Sequence, residues 1–200
     1  MTNPVRVAKR TLRARLRAAR ASIPAVDLRR NSQIICDRVA ELEVFRRARG
    51  VALYWPMLER GEVDVRDLDQ KARASRKLVY YPGLAPDGSP AGFRLVERLR
   101  ELAARGRGFA EPLPERPLAR AGDVDLVVAP ALGATLAGER LGQGGGFYDV
   151  VLAALCPPAR CVVVVHELQL VAQLPTEPHD RRCDVVVTER RVLHATERVL

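Results

Sequence analysis

Zinc, thiol and membrane chemistry each need residues that this sequence scarcely supplies. Cysteine occurs four times, as Cys36, Cys156, Cys161 and Cys183, and never as C-x-x-C. Neither a zinc cage nor a disulfide framework is spelled out, and the thiols read as small apolar core residues in a reducing cytosol. Histidine is limited to three residues, none of them in an H-E-x-x-H, which removes the zinc-protease pattern. There is no G-x-S-x-G nucleophile elbow and no G-x-x-x-x-G-K-[ST] phosphate loop. No apolar run approaches the ~20 residues that cross a bilayer. Internal repeats and low-complexity tracts are missing as well.

Acidic residues are almost absent from residues 1–30, where nine Arg or Lys stand against Asp27 alone. The whole chain carries +9, so nearly all of its excess charge belongs to one segment and the remainder is close to neutral. Such a basic helix suits a phosphate-bearing small molecule or a polynucleotide, and charge alone does not choose. An Arg-rich, acid-poor start is also the pattern of a mitochondrial transit peptide. The scarcity of serine and the direct run into a second helix argue against that.

What is present reads as α/β. Leu12, Leu16, Ala19 and Ile23 recur at helical spacing over residues 5–22, with Arg6, Arg10, Arg13, Arg17 and Arg20 on another face. Pro24 divides this helix from a second, Ala25 to Arg46. Short apolar runs then predict strands at Gly50–Trp55, Lys77–Tyr81, Phe93–Val96, Asp125–Pro130, Cys161–Val165 and Asp184–Thr188. Helices are expected up to Ser75, after Gly146 (Val150–Leu155) and near Leu168–Gln173. Residues 105–122 read as a long loop, and loops of that length are often functional. Strands alternating with helices argue for a mostly parallel sheet covered on both faces, with ligands at the strands' carboxyl ends. Two hundred residues suit one domain, 1–200, with the basic helix packed on the α/β body.

The most informative stretch runs from Gly138 to Asp149. Gly142, Gly144, Gly145 and Gly146 strip side chains from the backbone ahead of a helix, so peptide N–H groups and the helix N-terminus can form an anion site. A flexible turn is the alternative; Arg140 and Tyr148-Asp149 favour phosphate. Asp149, in the first helical turn, can hold a cation beside that phosphate. Lys9 and Arg13, spaced i, i+4, can reach one polyphosphate or form a solvated basic face. Glu62, with Tyr54 or Trp55 as a flat wall, can accept hydrogen bonds from an amine-rich heterocycle, or serve only as a helix-start acid. Asp180, in Pro178-His179-Asp180, can join Asp149 around Mg²⁺, while His179 reads as a surface histidine.

In this order the pieces resemble the 5-formyltetrahydrofolate cyclo-ligase (methenyltetrahydrofolate synthetase) family over nearly the whole chain. Lys9-Arg10-Thr11-Leu12-Arg13 is similar to its K-x-x-L-R, and Tyr54 to Glu62-Val63-Asp64 to its Y…E-v-d. Glu111-Pro112 and Asp125 to Pro130 follow. Gly138 to Asp149 resembles G-x-R-L-G-x-G-x-G-x-Y-D, and Leu174-Pro175, His179-Asp180 and Asp184 to Glu189 the ending. Gln143, Val150 and Ala134-Thr135 depart from the pattern, and the Tyr54-to-Glu62 gap is slightly long.

The resemblance implies a three-layer α/β/α sandwich of the sugar-isomerase and CoA-transferase class. It implies ATP- and Mg²⁺-dependent conversion of 5-formyltetrahydrofolate to 5,10-methenyltetrahydrofolate, with ADP and phosphate released. It assigns ATP binding to Lys9, Arg10, Thr11, Leu12 and Arg13, and to Arg140, Leu141, Gly142, Gln143, Gly144, Gly145, Gly146, Phe147 and Tyr148. Arg140 and Tyr148 would be catalytic. Trp55, Glu62, Gln143, Gly144, Gly145, Gly146 and Phe147 would meet the folate, and Asp149 and Asp180 the Mg²⁺. A cytoplasmic monomer without nucleic-acid or membrane partners is expected. The alternatives are a diverged ATP-binding relative acting on another acylated amine, and a basic RNA- or DNA-binding module using residues 6–30.

Overall fold

Valine-rich strands whose successive side chains are all buried need cover on both faces, and the chain supplies it. The computed structural model describes residues 3–104, 109–178 and 180–195. Asn3 caps the first helix by accepting a hydrogen bond from the Val5 N–H at 2.9 Å, with Pro4 in the first turn. In chain order come α1 (Pro4–Ala21), α2 (Ala25–Glu41), α3 (Glu43–Arg47), β1 (Gly50–Ala52), α4 (Arg66–Ala74), β2 (Leu78–Leu84) and β3 (Pro90–Leu95). Then follow β4 (Leu102–Ala104), β5 (Ala110–Pro112), β6 (Leu126–Pro130), β7 (Gly133–Ala134), β8 (Arg140–Leu141), α5 (Phe147–Leu155), β9 (Arg160–Val164), β10 (Val185–Val187) and β11 (Val192–His194).

The main sheet has the order β11-β10-β9-β6-β1-β2-β3. Its five inner strands are parallel, and β3 and β11 run antiparallel at the edges. The expected α/β fold with a mostly parallel sheet is thus found. Val51, Val79, Val128 and Val162 point to one face, where Ile35 and Val39 of α2, Phe45 of α3 and Leu68 of α4 cover them. Ala52, Tyr80, Val127 and Val163 point to the other, against Val151, Leu152 and Leu155 of α5. The period-2 alternation of a strand therefore feeds two cores. Cys36, Cys161 and Cys183 are buried in them, as their apolar reading requires. No helix among the described residues is long and apolar enough to cross a membrane.

Several boundaries differ from the sequence reading. The helix expected over Ala25 to Arg46 breaks at Leu42, whose backbone is extended (φ −61°, ψ 136°); no glycine or proline marks the break. Within the supposed loop 105–122, β5 pairs antiparallel with β4; Pro112 and the flanking glycines masked so short a strand. β1 stops at Ala52 because Leu53 to Trp55 leave the sheet toward the next loop, although the Leu53 N–H still reaches the Tyr80 carbonyl at 2.9 Å. The helical stretch near Leu168 is one 3-10 turn, Glu167–Gln169. α5 begins at Phe147, earlier than Val150, because Gly146 at φ +70° lets the chain enter the helix directly.

Two consequences are measurable. Ile35 is fully buried between α2 and the sheet, so Ile35→Ala should cost about 3 kcal/mol in urea unfolding, with the m-value unchanged. His166, which follows β9, is fully buried, and its Nε2 lies 3.3 Å from the Gly61 carbonyl. Burial pushes its pKa below 6.5, despite Glu189 and the Gly61 carbonyl favouring the cation. The unfolded chain then binds a proton that the folded one refuses. Stability is lost as pH falls through 6.5 toward the lower folded value. His166→Leu should flatten that part of the stability–pH curve.

Candidate active site

The topology opens a crevice between β1 and β6. These neighbours are parallel, but β1 leads through α4 to β2 on one side, while β6 leads through α5 to β9 on the other. Helices leaving to opposite faces part the loops at the strands' carboxyl ends. A cavity of about 790 Å³ lies there, lined by the segments following β1 and β6, the glycine stretch and α1.

One end of the cavity is cationic. Lys9 is nearly buried, and its Nζ donates to Glu177 Oε2 at 2.9 Å and to Asp180 Oδ2 and Oδ1 at 2.6 and 2.9 Å. Asp180 also accepts the Glu177 N–H at 2.7 Å. Burial works against the ammonium, but the bonds it donates to Asp180 and Glu177, with their charges, outweigh it and raise the Lys9 pKa. Arg13 Nε donates to the Gly142 carbonyl at 2.9 Å, and its guanidinium lies against Gly144. A Cβ on Gly144, at φ +108°, would stand 3.5 Å from Arg13 Cζ. Gly145 and Gly146 are exposed and have nothing within 4 Å of where a Cβ would be, so no side chain crowds the backbone ahead of α5. Arg140, on β8, pairs with Asp149 Oδ1 at 2.5 Å and stacks over the Tyr148 ring. Its Nε is buried without a partner among the described residues.

The other end is aromatic and acidic. Glu62 is buried, and accepts from the Met57 N–H at 3.0 Å and from Gln143 Nε2 at 3.4 Å. Gln143 in turn accepts from Arg17 Nη2 at 3.1 Å through Oε1. Burial raises the Glu62 pKa against the Met57 N–H, Arg20 and Gln143, which lower it. Trp55 tilts over Tyr81, and Phe147 and Tyr148 form an edge-to-face cluster with Phe93. The Tyr148 hydroxyl has no partner among the described residues, and burial, then the nearby Glu62, raise its pKa.

Most of the residues singled out in the sequence meet here. Lys9, Arg10, Arg13, Trp55, Glu62, every residue from Arg140 to Asp149, and Asp180 line the one cavity. Thr11 and Leu12 do not: Thr11 is exposed, and Leu12 packs on Leu16, Leu132 and Leu141, as a helix turning away from its cavity face dictates. His179 lies outside the described residues. Thr135 is turned to Glu139, with Oγ1 donating to Oε2 at 3.2 Å. For Mg²⁺, Asp149 and Asp180 share the cavity, each already beside a cation. No group of three or more His, Cys, Asp or Glu able to hold a metal occurs among the described residues. Two carboxylates still fit Mg²⁺, which completes its shell with phosphate oxygens and water. Sequence reasoning missed Glu177, Met57, Phe109 and Arg17. Of these only Arg17 had a signal, one helical turn beyond Arg13.

Solved structures share this fold, and known proteins share part of the sequence. The model of the 5-formyltetrahydrofolate cyclo-ligase family matches residues 5–189. A 5-formyltetrahydrofolate cyclo-ligase of Mycolicibacterium smegmatis is 37% identical over 91 residues, 45% of this chain and 47% of that protein. That of Escherichia coli K12 is 32% identical over 135 residues, 66% and 74% of the two chains. The solved structure of Aquifex aeolicus 5,10-methenyltetrahydrofolate synthetase superposes with a TM-score of 0.82 at 28% identity, covering 96% of this chain and 95% of that one. A 5,10-methenyltetrahydrofolate synthetase of Mycoplasma pneumoniae, at 20% identity and a TM-score of 0.71, shares the fold over 90% and 98% of the two chains. With its family model matched over 5–189, the chain belongs to the 5-formyltetrahydrofolate cyclo-ligase family.

Proposed function

We propose that this protein is an ATP- and Mg²⁺-dependent ligase that closes 5-formyltetrahydrofolate to 5,10-methenyltetrahydrofolate, releasing ADP and phosphate. One observation carries the reading: a single cavity joins a cationic, glycine-lined end to an aromatic end closed by a buried carboxylate. The first suits a triphosphate and the second a pterin.

Lys9, Arg10, Arg13 and Arg140, with the amides of Gly142 to Gly146, take the phosphates. Trp55 and Phe147 flank the pterin, and Glu62 and Gln143 hydrogen-bond its edge. Asp149 and Asp180 hold Mg²⁺, which supplies charge neutralisation on the phosphate oxygens. The formyl oxygen attacks the γ-phosphorus and the bond to the ADP oxygen breaks. N10 then adds to the activated formyl carbon and loses its proton, and phosphate departs with the former formyl oxygen. Arg140, held over Tyr148, stabilises the charge that develops on the transferred group. Closely placed reactants and fixed cations supply the acceleration, with no protein nucleophile needed.

Purified protein given 5-formyltetrahydrofolate, Mg²⁺ and ATP should generate the near-ultraviolet absorbance of the methenyl product, and omission of ATP should abolish it. No product from folded, ATP-binding protein would overturn the reading. Lys9→Met should weaken ATP binding by about 10²-fold in calorimetry, since it removes a desolvated cation facing the phosphates. Asp149→Asn should lower turnover by about 10²-fold and raise the Mg²⁺ concentration needed for half-maximal rate. Because it leaves the buried Arg140 without its carboxylate, it should also lower the melting temperature, so both rates are compared well below that temperature. An unchanged Mg²⁺ dependence would remove Asp149 from the metal.

A further inference from the structure

Arg20 closes α1 and is a costly residue where it sits. It is only 3% exposed, and its Nε is buried without a hydrogen-bond partner among the described residues. Its stem packs on Gly61, where an added Cβ would stand 3.5 Å from Arg20 Cγ. Arg20, Tyr54, Glu62 and Gln169 border one small space behind the cavity wall. An aliphatic side chain would fill that position without the desolvation that a guanidinium incurs. Its charge therefore calls for an anion, and the carboxylate that borders the same space is Glu62.

Arg20 approaches Glu62 from α1, Arg60 from the turn before Gly61, Tyr54 from the segment after β1 and Tyr148 from α5. Gln143 and the Met57 N–H bond its oxygens directly. Arg20 heads the charged groups that favour the ionised form, against the burial that disfavours it. Arg17, one turn earlier, reaches the same carboxylate through Gln143. The last turns of α1 thus serve the carboxylate end of the cavity, as Lys9 and Arg13 serve the cationic end.

We infer that Arg20 is a positioning residue for the pterin end of the cavity, its buried charge acting through Glu62 so that a carboxylate faces the ligand. This rests on the proposed assignment of Glu62 to the substrate. The test is an NMR titration of the Glu62 side-chain carboxyl in wild type, Arg20→Met and Arg20→Lys. It is paired with KM for 5-formyltetrahydrofolate across pH. In Arg20→Met, Glu62 should titrate at higher pH, and KM for the folate should rise about tenfold near neutrality. The rise should shrink as pH increases, KM for ATP should hold, and Arg20→Lys should restore both readouts. In a Glu62→Gln background, Arg20→Met should no longer move the folate KM. Arg20→Gln replaces Arg20→Met if the latter does not fold. Glu62 titrating alike in wild type and the uncharged variants would overturn the inference, as would a folate KM that ignores a shifted Glu62. The titration needs no turnover, so failure of the cyclo-ligase reading would be seen separately.

Discussion

A buried lysine fixes the position of α1, and most of the cavity follows from it. Lys9 is held by Glu177 and Asp180, more than 160 residues away in sequence. Removing one partner of so enclosed a pair leaves an uncompensated charge, so the contact defines where the helix can sit. With α1 docked there, Arg13 falls on Gly142, Arg17 on Gln143 and Arg20 behind Glu62. One helix thus touches both ends of the cavity.

The cavity's charges are preorganised rather than free. Asp149 faces Arg140, Asp180 faces Lys9, and Glu62 faces amide donors and shares a small space with Arg20. A phosphate with its cation brings one set of charges of each sign, so the protein pairs can exchange partners without leaving a buried charge alone. That economy suits phosphoryl transfer, in which fixed dipoles and cations do the stabilising.

Much of this was legible in the sequence, for definite reasons. Short uninterrupted apolar runs alternating with helices announced a sheet covered on both faces, and the glycine stretch before an apolar run announced the loop ahead of α5. The i, i+4 spacing of Lys9 and Arg13 placed both on the helix face that lines the cavity. It equally required that Thr11 and Leu12, inside the same short motif, turn elsewhere. What stayed hidden depended on distant partners. Nothing local distinguishes Glu177 from any loop glutamate, and Arg20 reads as one more basic residue until the fold buries it. Leu42 breaks a helix with no proline or glycine to announce it, and β5 is too short to display a period. Pairing between remote segments decides such features, and local pattern does not record it.

The most direct measurement follows the formyl oxygen. 5-Formyltetrahydrofolate carrying an isotopic label on that oxygen is turned over with Mg²⁺ and ATP, and the released phosphate is weighed by mass spectrometry. Label recovered in the phosphate, in step with methenyl product, is the predicted result, because the γ-phosphoryl group must have joined the formyl oxygen inside the cavity. Product formed with unlabelled phosphate would contradict the account and separate ATP hydrolysis from ring closure.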